Sequence, residues 1–138
     1  MRRTLIALTA FTTLACTPEP PPAPTTPSAP APLTGEWDKK LDAATQTPHP
    51  CGPTTARTPA CADRLANQAD VVSALGAELR AREDSRRYSR TLAGIVKVFQ
   101  AREAYADCTT DEDCWRQAWQ INLGTLAVRT TLQTDQTR

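Results

Sequence analysis

RAREDSRR, residues 80–87, is the stretch whose reading decides the fold. Ala81 is its only apolar residue, and it separates two long segments that each carry an apolar stripe at helical spacing. No glycine or proline marks a break. The register does: Leu79 and Tyr88 are nine positions apart, and at about 100° per residue one continuous helix would set them on opposite faces. A turn here, with Asp84 or Ser85 capping the next helix, returns both to one side. The alternative is a single helix through 59–107.

Three helices are predicted around this turn. The first runs from about Pro59 to Arg82. Thr58 suits its N-cap, Pro59 its first position, and Leu65, Ala69, Val72, Leu75 and Leu79 its apolar side. The second runs from about Arg86 to Ala106, with Tyr88, Leu92, Ile95, Val96 and Phe99 as its stripe. The third starts after Thr110. Asp111, Glu112 and Asp113 crowd its first turn, at the positive end of the helix dipole. Thr110 and Asp113 form a variant of the capping box. Trp115, Ala118, Trp119, Ile121, Leu123, Leu126 and Val128 form a broad apolar face. Upstream, Thr34 or Gly35 is placed to cap a short helix in which Trp37 and Leu41 share a side, and prolines 50, 53 and 59 break the chain after it.

The turn also governs the cysteines. Helices running up, down and up bring Cys51, Cys61, Cys108 and Cys114 to one end, with all three pairings open. Without the turn, Cys61 and Cys108 would lie about 70 Å apart, leaving only the local pairs 51–61 and 108–114. Local pairing fits both cases and is preferred. Each bond adds roughly 2–4 kcal/mol, less for short loops. The expected fold is all-α: a small three-helix bundle stapled by disulfides over residues 34–138.

The chain has 138 residues, 16 basic and 15 acidic, so no basic excess points to a nucleic-acid partner. Aromatic residues make up 5%, which leaves a core mostly of Ala, Leu and Val. A core of this kind is modest in a domain of about 100 residues.

Residues 1–15 read as an export signal: Arg2 and Arg3 supply the positive start, and LIALTAFTTLA (5–15) is apolar but too short to span a bilayer, which needs about 20 residues. Ala15 directly before Cys16 resembles the lipobox of bacterial lipoproteins, although Thr13 and Leu14 depart from its usual residues. That resemblance implies cleavage before Cys16, acyl chains carried by the new N-terminal cysteine, and an anchor of three chains; one chain alone holds only marginally. Cleavage of an ordinary small-residue site at the same point would release the chain instead. Parity favours the anchor, because five cysteines minus Cys16 leaves an even set. Thr17, rather than Asp, after the cysteine implies by the same resemblance the outer membrane, with the domain in the periplasm, or the outer face of the only membrane in a Gram-positive cell. Residues 17–33 hold eight prolines. They are expected to be a disordered, polyproline-type tether at about 3.1 Å per residue, roughly 50 Å in all; a PxxP ligand is the alternative. The division is thus signal peptide 1–15, lipidated Cys16 and tether 16–33, helical domain 34–138.

Catalytic chemistry has little support. The gaps of nine and five residues between cysteines do not suit structural zinc. DCTTDEDC (107–114) lacks the alternation and glycine of a calcium loop. His49, the only histidine, lies between two prolines, and no serine sits in a nucleophile motif. No enzyme, metal or cofactor is expected. Trp115 and Trp119 stand one turn apart, read first as the bulky centre of the core and second as an exposed contact anchor for a partner.

The expected role is recognition of another cell-envelope protein. The order of lipobox, Glu36-Trp37 and Cys-x9-Cys with TPACADRLA around Cys61 resembles the small entry-exclusion lipoproteins of conjugative plasmids, which block uptake of a second copy of the same element. The resemblance covers about thirty residues and carries over no functional residue. An immunity or inhibitor lipoprotein would share these features; a structural accessory lipoprotein of a secretion or pilus complex is the alternative.

Overall fold

The computed structural model describes residues 33–46 and 49–138; the expected signal peptide 1–15, Cys16 and the expected tether as far as Pro32 lie outside the described residues. Four α-helices follow in order: α1 (Thr34–Thr45), α2 (Pro59–Ala81), α3 (Ser89–Ala106) and α4 (Asp111–Gln136), with a 3₁₀ turn at Ser85–Tyr88 between α2 and α3. The three expected helices are present, and the short upstream helix packs as a fourth.

The turn falls at RAREDSRR. Arg82 takes an extended conformation and ends α2. Its guanidinium bonds Asp84 at 2.9 Å, while Ser85 N–H donates to the Arg82 carbonyl and Arg87 N–H to the Asp84 carbonyl. Leu79 and Tyr88 are both buried on the same core. Neither Asp84 nor Ser85 caps α3: Tyr88 is its N-cap and offers no side-chain bond. The cap comes from the far end of the chain. Buried Asp135 accepts from Thr91 N–H at 3.2 Å and from Thr91 Oγ1 at 2.9 Å. Arg87 in turn donates to the carbonyls of Asp135 and Gln136, satisfying the end of α4.

The other helix starts follow local chemistry. Thr58 accepts from Cys61 N–H with Pro59 at the first helical position, and Thr110 accepts from Asp113 N–H. At α1 the expected caps Thr34 and Gly35 lie inside the helix, Leu33 is the N-cap, and no side chain caps it. That end is held by packing: Leu33, Trp37 and Leu41 are buried in the main core.

Cross-helix contacts fix directions. Trp37 Nε1–H donates to Glu78 and Gln68 Nε2–H to the Ala44 carbonyl, so α1 and α2 are antiparallel. Arg129 pairs with Asp42 and Gln133 bonds Asp38, so α1 also opposes α4. The chain enters at Leu33 beside the end of α2 and the end of α4. The two disulfides and the start of α4 lie at the opposite end.

Helices α3 and α4 pack closely where two glycines lack a side chain. A Cβ at Gly124 would stand 2.8 Å from Val98 Cγ2, and one at Gly94 would stand 3.2 Å from Val128 Cγ2. Gly124→Ala gains about 1 kcal/mol of helix propensity. The overlap falls on a β-branched side chain with one preferred rotamer in a helix, and overpacking costs about 1–3 kcal/mol. A net loss of about 1 kcal/mol is expected in urea melts.

The buried face of α4 is Cys114, Ala118, Ile121, Thr125, Val128, Leu132 and Asp135, a steps-of-four-and-three pattern. Two expected stripes are thereby corrected. On α3, Val98 is buried and Val96 is 49% exposed; on α4, Trp119, Leu123 and Leu126 are 48%, 45% and 39% exposed. Each helix has one face for the bundle, and these residues fall outside the arc covered by neighbours. Among the described residues, no helix is long and apolar enough to cross a membrane.

Candidate partner-binding surface

The bundle end remote from Leu33 is built around two sulfur bridges, Cys51–Cys61 and Cys108–Cys114. They are the local pairs, and the turn also gathers all four cysteines at that end, so the preferred pairing and the up-down-up geometry hold together. The first bridge ties the loop after α1 to the base of α2. Tyr105 at the end of α3 bonds the Ala56 carbonyl and lies 3.7 Å from Cys61 Sγ, joining that loop to the α3 base. Cys61 and Cys114 are fully buried.

Trp115 and Trp119 project from the first turns of α4. Their ring centroids are 5.7 Å apart with the planes tilted by 42°, within the range of favourable aromatic pairs. Trp115 packs against the core while Trp119 is half exposed. The expectation that both form the centre of the core is thus corrected: one supports the other from below. Trp119, Leu123 and Leu126 lie within an arc of about 60°, making one apolar ridge along α4.

A concavity opens on each side of the pair. One, about 310 Å³, is lined by Glu112, Trp115, Arg116 and Trp119. The other, about 230 Å³, is lined by His49, Cys51, Trp115, Ala118, Trp119 and Asn122. Three residues that sequence reasoning left without a role shape the second. Gln68 is fully buried, and its Nε2–H₂ faces both the Ala44 carbonyl and Asn122 Oδ1, each at 3.0 Å. A carbonyl only accepts, so the Gln68 amide is oriented; Asn122 must then present its oxygen to Gln68 and turn its own NH₂ away. The signal for Gln68 was a polar residue three positions after Leu65 on an otherwise apolar stripe. For Asn122 the sequence held none, because its partner Gln68 is 54 positions away; His49 is bonded locally by Cys51 N–H, and only packing brings it to this wall.

His49 Nδ1 accepts from Cys51 N–H at 3.3 Å. The neutral ring therefore carries its proton on Nε2, which is buried with no partner among the described residues. Burial, then the Arg64 guanidinium, holds the imidazole below its ordinary value of 6.5. The unfolded chain binds this proton at higher pH than the folded one. Stability is therefore complete above about pH 6.5 and falls as pH drops below it toward the lowered folded value. Urea melts at pH 7.5 and 5.5 should show that loss, and His49→Gln should reduce it.

Among the described residues, no group of three or more His, Cys, Asp or Glu is placed to hold a metal ion. Comparison with known proteins finds no matching family model, no matching curated protein and no matching solved structure. The described residues form a disulfide-stapled four-helix domain with an aromatic ledge at one end.

Proposed function

We propose that the chain is a membrane-anchored lipoprotein, held by acyl chains on Cys16, whose helical head binds another cell-envelope protein in the manner of an entry-exclusion or immunity lipoprotein. The ledge carries this reading: a half-exposed tryptophan stacked on a second one, continuous with Leu123 and Leu126 and flanked by two concavities. Tryptophan in such a setting is over-represented among residues that dominate interfaces. The position suits the role, since the ledge is at the end away from Leu33, with about 21 Å of α4 between Trp119 and Gln133. Cysteine parity supports the anchor: the bundle pairs four of the five thiols and leaves Cys16 over.

Two measurements test this. The mass of the mature chain should equal residues 16–138 with two disulfides plus acyl groups; a chain with its leader intact overturns the anchor. A photo-crosslinking residue at position 119, in the native envelope, should give one discrete adduct, with none from exposed position 97 on α3. Once that partner is identified, Trp119→Ala should weaken binding by about 2 kcal/mol or more, roughly thirtyfold. The melting midpoint should barely move, because the ring is half exposed.

A further inference from the structure

We propose that the bundle end made by the RAREDSRR turn is a docking surface for anionic phospholipid headgroups, so that the head rests on the membrane with its ledge facing away. This rests on the reading that acyl chains on Cys16 hold the chain at a membrane, and it assigns the face of the head that meets the lipid.

The charges are balanced in number and separated in space. Apart from Arg2, Arg3 and Glu19, the chain carries 14 basic and 14 acidic residues. Residues 80–90 hold five arginines against Glu83 and Asp84, and no carboxylate occurs from Ser85 to Arg102. Residues 103–113 hold five carboxylates and no basic residue. The fold puts the first group at the end where the chain enters at Leu33, and the second at the end with the disulfides. Helix α3 lies between them, 18 residues or about 27 Å long. That is about three Debye lengths at physiological salt, so the acidic end does not cancel the field of the basic one.

Most charges at the basic end are already committed. Arg82 pairs with Asp84, and Arg87 bonds the carbonyls of Asp135 and Gln136. Glu36 pairs with Lys40 and Asp38 with Arg129, while Glu78 accepts from Trp37 and Asp135 from Thr91. Three arginines remain. Arg80, Arg86 and Arg90 are exposed, and among the described residues none of them has an ion pair or a hydrogen-bond acceptor. Glu83, the other exposed carboxylate of the turn, pairs with none of the three.

A guanidinium offers a planar fork of donors that fits two oxygens of one phosphate, which an ammonium cannot match. An anionic lipid presents that phosphate without the neighbouring cation of a zwitterionic headgroup, so net attraction arises at anionic surfaces. Each arginine near such a surface strengthens binding about fivefold. Contacts of that size suffice on an anchored chain, because tethering raises the local concentration. Position selects lipid over another polyanion: the three arginines stand at the end through which the anchored segment joins the head.

The test uses the chain from residue 17 onward, with both disulfides formed and no acyl group, so that attachment reports headgroup contact alone. Phosphatidylcholine vesicles with about one-third phosphatidylglycerol should sediment the chain at about 0.02 M salt and far less of it at about 0.15 M. Pure phosphatidylcholine should leave it in solution. Arg86→Gln with Arg90→Gln should weaken the binding about 25-fold. Arg57→Gln with Arg102→Gln removes the same charge from the opposite end and should leave it unchanged. All four side chains are exposed, so melting midpoints should hold in both variants. Brominated acyl chains should not quench tryptophan emission, since half-exposed Trp119 faces away. No binding at low salt, equal binding to neutral vesicles, equal loss in both double variants, or bromine quenching would each overturn the assignment. So would tighter capture by single-stranded RNA at equal phosphate concentration. Failure with vesicles by a chain whose mature mass shows acylation removes only the docking. Phosphatidylglycerol binding by a chain that proves unacylated supports the surface and removes only the anchor.

Discussion

Replacing Trp37 by alanine is expected to destabilise the bundle by about 3–5 kcal/mol, the usual cost of emptying a large aromatic site in a core. The ring is 4% exposed and sits with Leu33 and Leu41 against the main cluster. Its Nε1–H donates to Glu78 Oε2 at 2.9 Å, and the Lys40 ammonium lies 4.3 Å from its centroid. Most of the loss comes from the cavity. Glu78 is exposed and recovers a water partner, and the Lys40 contact is at the surface, where such contacts contribute about 0.5–1 kcal/mol. A domain of this size has about 5–15 kcal/mol in total, so the variant stands near the edge of folding. Denaturant melts measure the loss. Hydrogen exchange should show α1 amides deprotected more than those of α4, because α1 has no side-chain cap and depends on this packing. A change below about 1 kcal/mol would mean that α1 is dispensable to the core.

Asp135→Ala is the second large effect, expected at about 2–4 kcal/mol. The substitution removes the acceptor of two bonds and leaves Thr91 N–H and Thr91 Oγ1 in a buried site, each at a cost of about 1–3 kcal/mol. Asp135 is 1% exposed and Thr91 0%, so water does not reach either group without opening the packing. The carboxylate also faces the positive end of α3, which Tyr88 leaves uncapped. Asp135→Asn keeps one acceptor oxygen and should lose about half as much. Thr91 amide exchange gives the local readout. An alanine variant as stable as the original would show that α3 starts without help from α4.

Much of the fold is legible in the residues. The phase slip between Leu79 and Tyr88 locates the turn although no glycine or proline marks it. Thr58 with Pro59, and Thr110 with its acidic turn, announce two helix starts because a cap is a bond across three residues of one chain. The cysteine spacings favour the local pairs for the same reason. The start of α3 was not legible: its cap is Asp135, 44 positions away, and no local pattern encodes that. Val98 and Val96 show a related limit. Both are valines near the edge of the apolar stripe, and the choice between them depends on where Gly124 lets α4 approach.

The candidate site divides along the same line. Trp115 and Trp119 stand out by type and spacing. Which of the two is exposed, and that Gln68, Asn122 and His49 arrange polar groups beside them, follows only from the assembled bundle. The amino-acid order by itself pointed to three long helices with a short one before them, favoured a turn over one continuous helix through 59–107, and favoured the local partner of each cysteine, since these depend on helical period and contacts close along the chain. The tertiary structure alone decided which apolar residues remain in water, what caps α3, and which polar residues lie beside the ledge. A helix's own period gives the angle between its side chains, but the directions from which its neighbours cover them arise only when the four helices pack.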